Sequence, residues 1–359
     1  MITSRETPTR SRQSGGAWGG FAGRILRVRE LGLVVVLLLI CTIVTARAPR
    51  FLDGPNLEQV ALSATLVCIV ALGQALVIIA RQIDLSVGAI VAMSAFVTAS
   101  WLEGRPDGGI LMAFLIGCGV GAALGTGNAL LVAVARIPAV VATLGTLAIY
   151  RGAAIVIARG RQISATVLPE SYQEVAQLHI AGVPLLVWLA LLLTIFFGWV
   201  ARYTRLGRNL YALGSSPQSA RFAGISETRG IAFVFILSGL LCGFVGVLWG
   251  ARFGTVDAVI ARGLNLEVIS AVVVGGVSIF GGSGSVYGAA LGAVIFAVLQ
   301  NGVQLLRINQ FWLDAVVGMA ILGTVVFYML LARRVERAER EWRRRATLGR
   351  IGLRVAADR

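Results

Sequence analysis

Few residues in this chain could do chemistry, and the first to weigh form the stretch Ile83-Asp84-Leu85-Ser86-Val87-Gly88. It lies between two apolar runs, Val60 to Ala80 and Ala89 to Ala99, with Arg81 beside it. An unpaired carboxylate is costly in lipid, and Asp and Ser are residues that cap helix starts. Two readings stand. In one, a membrane helix ends near Arg81-Gln82, and Asp84 or Ser86 caps the next. Freed backbone at membrane depth is tolerated only against protein or a water-filled cavity, so the stretch would wall a permeation path. In the other, it is a tight cytoplasmic turn in which Asp84 merely caps.

The remaining reactive groups are weaker. Gly281-Gly282-Ser283-Gly284 fits the G-x-S-G pattern of an intramembrane serine protease. A serine nucleophile needs a base beside it, and the single histidine, His179, falls in an expected outside loop. Glycines permitting a tight helix break are the better account. Glu267, Arg307 and Asp314 lie near span ends, where snorkelling or pairing explains them. Asn128 and Arg151 sit deeper, and Asn128 can hydrogen-bond between helices. All 32 basic residues are arginine. Without a lysine the chain has no Walker-type phosphate loop and no Schiff-base chemistry. One histidine rules out a multi-histidine metal site. Cys41, Cys68, Cys118 and Cys242 lie in apolar runs and read as small hydrophobes rather than ligands or disulfides. No metal, cofactor or catalytic residue is expected.

The elements that hold these residues must lie in a bilayer. The chain has 359 residues, 57% hydrophobic and only 14% charged, too little charge for a soluble domain. Apolar runs long enough to cross a membrane recur. The expected class is an all-α, polytopic integral membrane protein of about ten transmembrane helices. The spans fall at Leu31 to Ala46, Glu58 to Ala80, Asp84 to Trp101, Ile110 to Ala135, Ala139 to Ala158, Leu185 to Ala201 and Ile231 to Ala251. Glu267 to Gln304 is broken into two by its glycines, and Phe311 to Ala332 is the tenth. The fourth span is rich in small residues, including Gly117, Gly121 and Gly125, which let helices approach closely. Pro169-Glu170-Ser171 with Tyr172, Val175 and Leu178 suggests a short interfacial helix, and 252–266 an outside loop.

The net charge of +15 is not spread evenly. Residues 1–30 carry +4, residues 202–229 carry +4 and residues 333–359 carry +6, all flanking apolar spans. That is the placement expected of cytoplasmic segments, not of a nucleic-acid surface. Both termini are therefore expected in the cytoplasm, which an even span number satisfies. The organisation is a tail at 1–30, a transmembrane permease domain at 31–332 and a charged tail at 333–359. Ser86-Val87-Gly88 and Ser285-Val286-Tyr287-Gly288 echo each other, each opening an apolar span after a polar break, as in transport folds with internal repeats. Gly207-Arg208-Asn209-Leu210-Tyr211 through Ala220-Arg221 and Gly224-Ile225 reads either as a short helix docking a partner or as a plain positive loop.

Taken in order, these blocks resemble the permease subunits of sugar ATP-binding-cassette importers of the ribose, xylose and rhamnose type. The matching residues are the Ile83–Gly88 stretch; Asn128, Ile137-Pro138-Ala139, Ala142-Thr143-Leu144-Gly145-Thr146 and Arg151-Gly152; the 207–225 segment; Ser238-Gly239; and Glu267 through Gly275-Gly276, Gly281-Gly282 and Gly284-Ser285 to Asn301-Gly302. The resemblance implies a multi-pass protein of the bacterial inner membrane. It would work with a separate ATPase subunit, a periplasmic sugar-binding protein and a second permease subunit, as a homo- or heterodimer. It further implies a substrate path that includes Asp84, Ser86, Asn128, Thr143, Ser283 and Asn301. Coupling to the ATPase would run through Gly207, Arg208, Tyr211, Ala220, Arg221, Gly224 and Ile225. The family often has two glycines where Arg81-Gln82 stands, and the rhamnose and autoinducer-2 branches look closer there. The competing class is an ion-coupled secondary transporter, for which Asp84 and Glu267 are the plausible carboxylates.

Overall fold

The computed structural model describes residues 16–309 apart from Pro106, with side chains from Glu30 onward, and isolated positions between 312 and 322. The expected tenth span and the tail at 333–359 lie outside the described residues, as do positions 1–15. Twelve helices follow one another: α1 Gly16–Arg47, α2 Gly54–Ile79, α3 Val87–Leu102, α4 Ile110–Ala129, α5 Ala139–Ala158, α6 Glu170–Gln177, α7 Leu185–Tyr203, α8 Arg205–Ser215, α9 Pro217–Phe222, α10 Glu227–Phe253, α11 Leu264–Val274 and α12 Val286–Leu305. The described residues add one small hairpin, β1 His179–Ile180 against β2 Val183–Pro184. Among the described residues, seven helices are long and apolar enough to cross a membrane: α1 from Glu30, α2, α4 with its continuation to Val134, α5, α7, α10 and α12. α3 has 16 residues and α11 only 11. At 1.5 Å per residue α11 is about 16 Å long, roughly half a hydrocarbon core. The expected break between the eighth and ninth spans is present, but the first piece does not cross alone.

The core is built on α2, whose most apolar window is 94% buried, and on α10. The closest seam joins α4 to α10. Ala113, Gly117, Gly121 and Gly125 recur every fourth residue and form the buried stripe of α4, since that spacing stacks residues on one helix face. Gly121 and Gly239 each lie against the other's carbonyl so closely that a Cβ on either would overlap it; a Cβ on Gly243 would overlap the Gly117 carbonyl, and one on Gly117 would strike Val247. Gly119, midway between Gly117 and Gly121 and off the stripe, faces open space. The sequence pattern of small residues thus becomes a direct backbone contact.

The connections gather at two ends. One end holds the expected outside segments. Ile163 bridges Val256, and Arg161 pairs with Glu103 at 3.3 Å. His179 meets Glu58 at 3.2 Å, and Asn56 and Asn301 exchange amide hydrogen bonds of 3.1 and 2.7 Å. The other end holds the expected inside segments: Ser285 Oγ donates to Glu30 at 2.9 Å, and the Gly282 N–H donates to Ile79 O at 2.9 Å. Two outside segments differ from expectation. The interfacial helix forms as α6, but it docks onto the bundle: Tyr172 is fully buried, and its hydroxyl donates to Val247 O at 2.7 Å. An aromatic ring buried with its hydroxyl satisfied favours protein over the lipid surface. The 252–266 loop descends into the bundle, so that the Ala261 carbonyl abuts Gly88 at the start of α3.

Candidate functional site

Two helix breaks organise the site, and they are built alike. α2 closes with Gln82 N–H donating to Val77 O at 3.0 Å and Arg81 N–H to Ile78 O at 2.8 Å, with Arg81 at φ +65°. α11 closes with Val277 N–H to Val272 O at 3.0 Å and Gly276 N–H to Val273 O at 2.9 Å, with Gly276 at φ +94°. Both are Schellman closures, which favour glycine at the left-handed position. Arg81 occupies that position at the end of α2. Both following helices begin on a Val behind a Ser, at Ser86-Val87 and Ser285-Val286. The short sequence echo therefore corresponds to a repeated local geometry. The second break is longer by a small turn, closed by Ser278 N–H to Ser283 O at 3.0 Å.

The first break carries a buried polar cluster. Asp84, Ser86, Asn128 and Thr143 are all fully buried. Asp84 Oδ1 accepts from the Ser86 N–H at 2.8 Å and from Ser86 Oγ at 2.7 Å. Asn128 Nδ2 donates to Ser86 Oγ at 2.8 Å and lies 3.4 Å from Asp84 Oδ2. Tyr150 hydroxyl donates to Leu124 O at 2.9 Å and sits 3.3 Å from Asn128 Oδ1. Thr143 Oγ1 reaches Ala139 O at 2.8 Å and Ile83 O at 3.2 Å, tying α5 to the break. The expectation that Asp84 or Ser86 caps α3 is corrected. Ser86 holds the cap position, but its side chain accepts no bond from the first helical turn. Asp84 instead bonds the backbone two residues on, a local turn that competes with capping. Nor does Arg81 neutralise it: Arg81 is exposed and makes no ion pair with Asp84. The carboxylate is held by neutral donors.

The structure brings four of the six expected path residues together and separates the other two. Ser283 is exposed in the turn of the second break, at the inside end. Asn301 stands at the outside end, paired with Asn56. Beside the cluster runs the descending loop 252–266, which the sequence marked only as an outside loop. Arg151 Nη1 donates to Ala258 O at 3.1 Å and to Ile260 O at 2.8 Å. Arg151 lies seven residues before the end of α5, about 10 Å below it. It binds irregular backbone that lipid could not solvate. The signal in sequence was an arginine inside a span.

The 202–229 segment folds into α8 and α9 and seats directly on both breaks. Gly214 packs against Ile79 O and Gly282 N, and Ser215 against Gly282. Tyr211 hydroxyl donates to Gly284 O at 2.9 Å. The Thr204 and Ser216 side chains cap the two helices by accepting from Gly207 N and Ser219 N. Gly207 is buried against the Ala201 carbonyl, and Ala220 is buried beneath α9. Arg208 is exposed and donates to Tyr203 O at 3.0 Å. Arg221 Nε bonds Glu227 Oε2 at 2.9 Å. Gly224 ends α9 at φ +75° with open space around it, and Ile225 is half-buried behind it. Phe222, the last residue of α9, is 94% exposed. It was not singled out from the sequence, although an aromatic residue within a polar segment was the available signal.

Broken helices around a buried polar cluster, inside a bundle of apolar spans, define a membrane permease. The chain belongs to the family described as branched-chain amino acid transport system / permease component, which matches residues 56–326. It is 33% identical over 316 residues to the autoinducer 2 import system permease protein LsrC of Klebsiella pneumoniae, covering 88% of this chain and 91% of that one. It has the same identity to the LsrC proteins of an Enterobacter species, with equal coverage, and of Escherichia coli O157:H7, over 300 residues covering 83% and 86%. No solved structure matches. The chain is thus a permease component of an ATP-binding-cassette importer and a multi-pass protein of the bacterial inner membrane.

Proposed function

We propose that this chain, paired with a second permease subunit, forms the path for a small neutral polyhydroxylated solute of the sugar type. The solute is delivered by a periplasmic binding protein, and a separate ATPase subunit acting on α8 and α9 drives its passage. The observation that carries the reading is the seating of α8 on both helix breaks at once, through Gly214, Ser215 and Tyr211. A partner displacing α9 shifts Ile79 and Gly282 together, and with them the Ile83–Ser86 segment that Thr143 and Asn128 hold. Phe222, with Gly224 behind it, offers that partner an aromatic anchor of the kind that dominates docking energies. The neutral donors around Asp84 suit a path for an uncharged solute better than an ion-coupling site.

Autoinducer 2, for which the relatives are named, is the first compound to test, beside ribose, xylose and rhamnose. The experiment is uptake and ATP hydrolysis in proteoliposomes holding this chain, its ATPase and its binding protein. Phe222→Ala should cut uptake by roughly tenfold or more, as anchors cost about 2 kcal/mol or more, without lowering the melting temperature. Gly224→Trp should uncouple hydrolysis from uptake. Full uptake by both variants would remove α9 from the docking surface.

A further inference from the structure

A second site lies on the α2–α7–α12 side of the molecule, away from the polar cluster. An apolar groove of about 500 Å³ runs between α2, α7 and α12, walled by Ala64, Cys68, Ala190, Thr194, Leu291 and Val294. At Glu30 and Tyr287 it meets a polar cleft of about 520 Å³ lined by Arg202, Arg208, Tyr211, Ser283 and Ser285. The two share those junction residues. The cleft lies at the end that holds α8 and the second break. Among the described residues, the one carboxylate lining it, Glu30, already accepts from Ser285 Oγ at 2.9 Å. Arg208 commits one N–H to Tyr203 O, and Arg202 lies over the Tyr203 ring, 5.6 Å from its centroid. Both guanidiniums keep further donors for a ligand. An apolar trough that ends in two exposed arginines is complementary to an amphipathic anion.

We propose that this groove binds an anionic glycerophospholipid of the inner leaflet, with one acyl chain between α2 and α7 and the phosphate on Arg202 and Arg208. Basic side chains at this level attract anionic headgroups. The lipid would fill the space between α7 and the helices that carry both breaks.

The test uses the full chain in phosphatidylcholine nanodiscs containing a minor fraction of phosphatidylglycerol with a photoactivatable acyl chain. Cross-links should concentrate on the peptides bearing Cys68 and Thr194. The double variant Arg202→Gln/Arg208→Gln should lower that yield by roughly an order of magnitude, and Arg202→Lys/Arg208→Lys should preserve it. A phosphatidylcholine probe with the same acyl chain should label weakly. Ala61→Trp, a half-buried lining position that fills the trough without altering charge, should abolish labelling, with the melting temperature reporting that the fold survives. Equal labelling by the two headgroups, or unchanged labelling in the glutamine variant, would overturn the proposal. So would a disulfide between two copies through cysteines placed at Ala61 and Leu191, which would show a second subunit in the groove.

Discussion

At the scale of single residues, Asp84 separates two roles by its geometry. One carboxylate oxygen takes both the N–H and the hydroxyl of Ser86. Asn can keep an oxygen in that place and Ala cannot. Asp84→Ala leaves the buried Ser86 N–H without a partner, and an orphaned buried donor costs about 1–3 kcal/mol. Asp84→Ala should therefore reduce membrane abundance and uptake together. Asp84→Asn should retain normal abundance and most uptake, because among the described residues no cation pairs with the carboxylate. An Asn variant that inserts normally yet fails to transport would show that the charge itself participates. Arg81 makes a separate prediction. It holds φ +65° at the end of α2, and a side chain in the left-handed region costs about 1–2 kcal/mol. Arg81→Gly should raise the melting temperature in detergent. The gain is reduced by glycine's larger unfolded-state entropy, and a lower melting temperature would mean that the Arg81 side chain has a stabilising contact.

At the scale of elements, the seam between α4 and α10 decides whether the bundle closes. Gly121 and Gly239 admit no Cβ against the opposing carbonyl. Gly121→Leu or Gly239→Leu should cost more than about 3 kcal/mol, since overpacking a rigid contact forces the backbone to move. The expected result is loss of the folded peak on size-exclusion chromatography. Gly119→Leu faces open space and should stay within about 0.5 kcal/mol of the parent. Equal damage from all three would assign the effect to helix propensity or insertion rather than to the seam. The same stripe continues to Asn128, so loosening the seam should also displace the partner of Ser86.

At the scale of the whole molecule, connections expected inside and outside collect at opposite ends, as alternating spans require. In a background lacking the four native cysteines, a cysteine at Ser164 should react with an impermeant thiol reagent in spheroplasts. Cysteines at Ser216, Ser14 and Thr347 should react only after the membrane is breached. Labelling of Ser216 from outside would invert the orientation drawn from the arginine clusters.

The sequence by itself determined the class and most span boundaries, because each depends on local composition: runs of apolar residues, arginine placement, glycines every fourth position. The family was legible through the order of its motif blocks rather than through composition. α5 occupies the expected Ala139 to Ala158, and the break at Arg81-Gln82 is where the residues put it. The site was only half legible. Asp84, Ser86, Asn128 and Thr143 were named from sequence, but Asn301 was grouped with them although its partner, Asn56, lies 245 positions away at the other end. Only the tertiary structure showed that Asp84 bonds Ser86 rather than capping α3. It alone showed that 252–266 enters the bundle on Arg151, and that α8 rests on both breaks. Those outcomes depend on which buried donor finds which acceptor among residues far apart in the chain. A buried polar group must be satisfied by whatever the packing brings beside it, and no local pattern records that choice.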